Sequence, residues 1–142
     1  MIRKIENDDI NRIMEIWLSE NLNSHNFISP NYWKINYNFV KRKYLTKTKM
    51  FVYEKENKIV AYICIMYNNY IRALFVDKSY QKQGIGTELL SFAIKNCKNV
   101  SLAVYKENKK AIQFYIQHGF KIKVECEDKA TGAIECLMFL TR

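Results

Sequence analysis

A chain of 142 residues, 49% of them hydrophobic, is long enough for one domain with a sizeable core and too short for two ordinary ones. One proline and four glycines leave little linker, and the lack of a long apolar run or an apolar N-terminal stretch argues against a membrane span or a secretory leader, so a single cytoplasmic domain over 1–142 is expected. The net charge of +9 admits an acidic partner, whereas four cysteines without Cys-x-x-Cys spacing and two histidines assemble no convincing zinc site.

Met1 to Ile5 reads as a first strand, and Asp8-Asp9 then offer a helix start with Ile10, Ile13, Met14, Trp17 and Leu18 on one face. That helix is expected to end near Asn21 to Ser24. A polar loop, Asn23-Ser24-His25-Asn26, leads through Phe27-Ile28 to Ser29-Pro30 and a second helix from Tyr32 to about Leu45, with Trp33, Tyr37, Val40 and Tyr44 in register. No acid occurs from Asn21 to Val52, while Lys34, Lys41, Arg42, Lys43, Lys47 and Lys49 accumulate. A nucleic-acid surface is one reading of that stretch; a solvated helix face is favoured, because no nucleic-acid motif accompanies it.

Met50 to Glu54 and Ile59 to Tyr67 read as a hairpin turning at Asn57, and the second of these strands is apolar on both faces, which predicts a central place in a sheet. Asn68-Asn69 turns the chain into a buried strand, Tyr70 to Val76. A short polar loop with Gly84 and Gly86 then opens a helix whose apolar positions are Ile85, Leu89, Phe92 and Ala93. Glycines at a helix start let the backbone approach a ligand, and the free N–H groups there favour a phosphate. A P-loop would need lysine after the second glycine, where Thr87 stands, and a dinucleotide fingerprint would need glycine at position 89, which is leucine.

Val100 to Tyr105 should follow by a right-handed crossover, parallel to Ile71 to Val76. Asn108 would cap a helix over Lys109 to His118, Gly119 would stop it, and Phe120 to Glu127 and Ile134 to Leu140 would form a closing hairpin. Cys126 and Cys136 flank that turn and are expected as cross-strand neighbours, the cysteines being reduced and mostly buried.

Gln81-Lys82-Gln83-Gly84-Ile85-Gly86 resembles the Gln/Arg-x-x-Gly-x-Gly/Ala motif of the GNAT superfamily of acyl-CoA-dependent N-acetyltransferases. A second stretch, Val104 to Phe120, is similar to that family's strand, Asn-x-x-Ala, Phe-Tyr and Gly-Phe motif. Trp17-x7-His25-x-Phe27-Ile28-x3-Tyr32-Trp33 further resembles a subgroup of small single-domain bacterial members. Two motifs in the right order, with matching strands and helices, extend the resemblance over nearly the whole chain. It implies an α+β, three-layer fold: a mixed, mostly antiparallel sheet with a splayed parallel central pair, flanked by about four helices.

For the site, the resemblance implies that Gln81, Lys82, Gln83, Gly84, Ile85, Gly86 and Thr87 hold the coenzyme A pyrophosphate. Leu74, Phe75 and Val76 would pair with the pantetheine arm, an N–H near Leu74 or Phe75 stabilising the developing oxyanion, and Asn108, Ala111 and Phe114 would complete the cofactor site. Tyr115 would protonate the departing thiolate, with core packing as its other reading. The strand Tyr70 to Val76 lacks the Glu or Asp that many relatives carry there. His25 is therefore the candidate base, with Glu20 and a water relay as alternatives and an ordinary surface histidine as the plain reading. The expected activity is transfer of acetyl from acetyl-CoA to a primary amine of a small molecule, a protein N-terminus or a lysine, by direct attack in a ternary complex. The amine would sit between the loop from His25 to Tyr32, with Phe27 and Tyr32 touching it, and the turn from Asp128 to Ala133. The rival reading is a non-catalytic acyl-CoA-sensing or partner-binding module. A monomer or homodimer is expected, with no metal, membrane or nucleic-acid partner.

Overall fold

The computed structural model describes residues 1–46 and 48–142, so Lys47, one cation of the basic stretch, lies outside the described residues. The strands are β1 (Ile2–Lys4), β2 (Thr48–Lys55), β3 (Lys58–Met66), β4 (Tyr70–Val76), β5 (Asn99–Tyr105), β6 (Lys121–Glu127) and β7 (Ile134–Thr141). The helices are α1 (Ile10–Ser24), α2 (Pro30–Tyr44), α3 (Ile85–Ala93) and α4 (Lys109–Gln117). The seven strands form one sheet in the order β1-β2-β3-β4-β5-β7-β6, antiparallel throughout except between β4 and β5. Among the described residues no helix is long and apolar enough to cross a membrane.

Two cores explain the layers. Ile10, Ile13, Met14, Trp17 and Trp33 of α1 and α2 pack with Val52, Tyr62 and Cys64 on one face of the sheet. Ile85, Leu89, Leu90 and Tyr115 of α3 and α4 pack with Ile63, Ile71 and Leu102 on the other. From Ile59 to Ile65 every residue of β3 is buried, because both of its faces are covered, as the unbroken apolar run predicts. Its hairpin with β2 turns through Glu56 (φ 54) and Asn57 (φ 62), two left-handed residues whose twist matches the flanking strands.

Three expectations are corrected. Helix α2 begins at Pro30, two residues before the predicted start: the Ser29 side chain accepts the Asn31 N–H, and proline at the first position gives up no hydrogen bond. Phe92 faces outward at 48% exposure, edge-on to Phe51, and Leu90 and Ile94 take the core positions instead. Cys126 stands opposite Glu135, and Cys136 opposite Glu125, so the two thiols lie one residue out of register on opposite faces of the hairpin. Cys64 and Cys136 are buried, while Cys126 is exposed.

Candidate active site

The site begins with a defect in pairing. Opposite β3, Ile71 pairs with Ile65 and Ala73 with Cys64, which leaves Arg72 as an extra residue on β4, a β-bulge. A bulge bends its strand, and β4 leaves β5 at this point: their ladder consists of Tyr70 with Ser101 and Ile71 with Leu102 alone. Beyond it the strands splay, and Leu74, Phe75 and Val76 line a cleft of about 650 Å³. Its other walls are Gly86 of α3, Asn108 to Ala111, Phe114 and Tyr115 of α4 and its approach, and Glu20, Asn23 and Ser24 at the end of α1.

One end of this cleft suits an anion. Gly84, at φ 82, is the N-cap of α3 and supplies no capping side chain, whereas Ser29 and Asn108 cap α2 and α4. The first N–H groups of α3 therefore stay free for a ligand. Gly86 keeps the floor low: a Cβ there would come within 3.6 Å of Phe114 and 3.7 Å of Val76. Lys78, Lys109 and Lys110 line the cleft as well. The Gln81 amide, a predicted phosphate-loop group, donates to Glu20 Oε1 at 2.7 Å and to the Val76 carbonyl at 2.9 Å, tying the loop to α1 and β4. Gln83 accepts from Lys55 Nζ at 2.9 Å and is turned toward β2. A long slot with an exposed strand edge, cations and a bare helix N-terminus fits a diphosphate on an extended arm, which is what coenzyme A is.

A second cleft of about 230 Å³ opens on the other side of the splay. It shares Leu74, Phe75, Asn108, Ala111 and Tyr115 with the first, so the two meet there. Tyr115 is only 7% exposed, yet it lines both clefts, a position compatible with core packing and with access to a ligand. Burial pushes its phenol well above the ordinary tyrosine value, so the proton is in place at neutral pH.

His25 is buried at this junction rather than on the surface, and its proton can be located. Asn21 Nδ2 donates to the Trp17 carbonyl at 2.9 Å, so Asn21 Oδ1 is free to accept from His25 Nδ1–H at 2.8 Å. On the other side, Asn108 Oδ1 accepts the Ala111 N–H at 3.3 Å, so Asn108 Nδ2 donates to His25 Nε2 at 3.1 Å. Both ring nitrogens are thus engaged in one tautomer. Burial lowers the imidazole pKa to about 4, and a second ring proton would confront the Asn108 N–H. The expectation of an acceptor-side base at His25 therefore meets a neutral ring whose Nε2 lone pair is engaged by Asn108, the residue that caps α4.

Phe27 stands edge-on to His25 and Tyr105, each with ring centroids 5.7 Å apart, and Tyr32 packs on Trp33 at 4.9 Å. They flank the second cleft rather than line it. Its lining includes Trp17, Trp33, Tyr70, Tyr105 and Glu135. The Tyr105 hydroxyl donates to Asp128 Oδ2 at 2.7 Å, tying the turn between β6 and β7 to a residue that lines the second cleft. Sequence reasoning missed Asn21, Tyr105 and Glu135. An Asn four residues before His25 was the one available signal for the relay; Glu135 had none, since its place depends on β7 lying beside β5.

Comparison with known proteins places this geometry in context. The family model described as an acetyltransferase (GNAT) domain matches residues 20–136. The chain is 32% identical over 126 residues to the peptidyl-lysine N-acetyltransferase YiaC of Escherichia coli, covering 89% of this chain and 86% of that protein. It is 23% identical over 121 residues to the peptidyl-lysine N-acetyltransferase YjaB of the same organism, covering 85% of this chain and 82% of that one. Among solved structures, PaiA N-acetyltransferase from Thermoplasma acidophilum in complex with coenzyme A superposes with a TM-score of 0.85 at 19% identity, covering 100% of this chain and 98% of that one. The solution structure of apo YjaB gives 0.83 at 20% identity, covering 98% and 95%.

Proposed function

The chain belongs to the GNAT family of acetyltransferases and is an acetyl-CoA-dependent N-acetyltransferase, and from that premise we propose that, as a single domain, it acetylates lysine side chains of proteins or peptides. The observation that carries the acceptor is the narrow second cleft, walled by aromatic rings, carrying a carboxylate and meeting the cofactor cleft at Leu74 and Tyr115. A lysine offers that cleft an aliphatic stem for the rings and an ammonium for the carboxylate. The similarity to two peptidyl-lysine acetyltransferases supports the same class.

Acetyl-CoA supplies the activated thioester. The chain's part is placement and proton movement. The loop from Gln81 to Thr87, with Gly84, Ile85 and Gly86 at its centre, holds the diphosphate on the α3 N-terminus, and Lys82 adds charge there. Backbone groups of Leu74, Phe75 and Val76 take the extended arm as an added strand would, and one of their N–H groups faces the developing oxyanion. Asn108, Ala111 and Phe114 form the opposite wall. Tyr115 gives its phenolic proton to the departing sulfur.

Incubation with acetyl-CoA and a panel of lysine peptides, read by thiol release and mass spectrometry, tests this reading. Acetylated lysine is expected. Transfer to small amines alone, with every peptide untouched, would overturn the lysine assignment.

A further inference from the structure

Resting on the lysine reading above, we propose that Glu135 is the acceptor-side base: its carboxylate receives the acceptor ammonium in the second cleft and takes the proton that must leave before the nitrogen can attack. The strand that feeds the phosphate loop offers no carboxylate, and His25 has no free lone pair. Glu135 occupies a different wall of the same space. It is the second residue of β7, directly opposite Tyr105 in the ladder with β5, and its side chain lines the cleft that ends at Leu74 and Tyr115.

Three further observations point to a cationic ligand there. The chain has 23 basic and 14 acidic residues, yet among the described residues none of the ion pairs involves Glu135 or its neighbour Asp128. Among the described residues Arg72 is the only Lys or Arg in the lining, and it turns toward Met66 Sδ at 3.8 Å. Trp33 also lines the cleft, is 7% exposed, and its Nε1–H finds no hydrogen-bond partner among the described residues. An unpaired carboxylate and an unpaired buried donor in one aromatic cleft suit a ligand that carries a cation and an oxygen, as a lysine and its peptide carbonyl do.

The groups facing Glu135 are Tyr105 from β5, Tyr70 and Arg72 from β4, Tyr32 from α2, Cys126 from β6 and Asp128 from the turn. Half-burial, and then the charge of Asp128, hold the Glu135 carboxyl above the usual carboxylate range, which makes it a better base near neutrality. In the step itself the ammonium loses one proton to Glu135, the neutral nitrogen bonds the acetyl carbon, and the carbon–sulfur bond breaks. The sulfur takes the phenolic proton of Tyr115, the second amine proton passes through solvent to restore that phenol, and Glu135 returns its proton to water. The products are an amide, coenzyme A and one released proton.

The test compares wild type with Glu135→Gln and Glu135→Asp on one lysine peptide and on the same peptide with an aminooxy group, largely neutral at pH 7, in place of the lysine amine. Glu135→Gln should lower kcat/KM for lysine by at least about tenfold more than for the aminooxy peptide, and remove the acidic limb of the pH profile. Glu135→Asp should restore part of the loss. Calorimetry with coenzyme A present should show the lysine peptide binding Glu135→Gln about tenfold more weakly, and a norleucine version of the peptide binding both proteins alike. Equal losses on both acceptors, or an unchanged acidic limb, would overturn the assignment. Unchanged acetyl-CoA affinity in Glu135→Gln checks the fold. If wild type acetylates only a small amine, the lysine reading fails by itself, and the same comparison on that amine decides the role of Glu135.

Discussion

Burial holds the His25 imidazole near pH 4 against an ordinary 6.5, and this has a defined cost in acid. Between those values the unfolded chain binds a proton at His25 that the folded chain refuses, so stability is full above pH 6.5 and falls as pH drops toward 4, by a ceiling of roughly 3 kcal/mol. Urea denaturation at pH 7.5 and 5.0 should therefore show wild type losing about 2 kcal/mol more than His25→Gln. Parallel losses in the two proteins would mean that His25 is not held neutral. At Tyr115 the expectation is kinetic: Tyr115→Phe should cost about a hundredfold in kcat while leaving the acetyl-CoA Kd unchanged. A phenylalanine variant with wild-type turnover would remove the tyrosine from the proton path and leave it as packing.

The start of α3 separates two jobs that its glycines do. Gly84 has φ 82 and open space where a Cβ would stand, so Gly84→Ala should strain the backbone by about 1 kcal/mol without touching the cleft. Gly86 lies within the helix, with ordinary contact distances to Phe114 and Val76, so alanine there is tolerated by the fold and a leucine is not tolerated by the slot. Thermal unfolding and calorimetry on Gly84→Ala and Gly86→Leu should thus divide: a lower Tm with nearly native affinity for the first, and acetyl-CoA binding weakened at least about tenfold for the second. Equal affinity losses would show that the loop conformation, not the floor, sets binding. These glycines were legible in the sequence because a helix start after a buried strand is a local pattern. The same holds for Asn108, which caps α4 as the spacing predicts. The His25 relay was not legible, since it joins residues 83 apart, and neither was the Glu135 wall of the second cleft, which needs β7 inserted between β5 and β6.

Across the whole molecule, a net charge of +9 draws in a polyanionic cofactor, and Lys78, Lys109 and Lys110 concentrate that attraction at one cleft. The acetyl-CoA Kd should rise about three- to tenfold between 50 and 300 mM salt, measured by titration calorimetry; a flat profile would assign binding to the backbone contacts alone. The layers and the parallel central pair follow from the order of apolar runs, whereas the opening between β4 and β5 does not, because Arg72 looks like any other strand residue in sequence. Its position has a further consequence. Ile71 belongs to the core under α3 and α4, Ala73 to the core under α1 and α2, and Leu74 and Phe75 continue that alternation. Removing Arg72 would make Ile71 and Ala73 adjacent, with each apolar residue of β4 still facing the layer it faces now and β3 still in register. What would vanish is the bend. The shortened strand is free to zip onto β5 along its length, giving a protein with both cores intact and its slot sewn shut, so that one codon separates an acetyltransferase from an ordinary closed sheet.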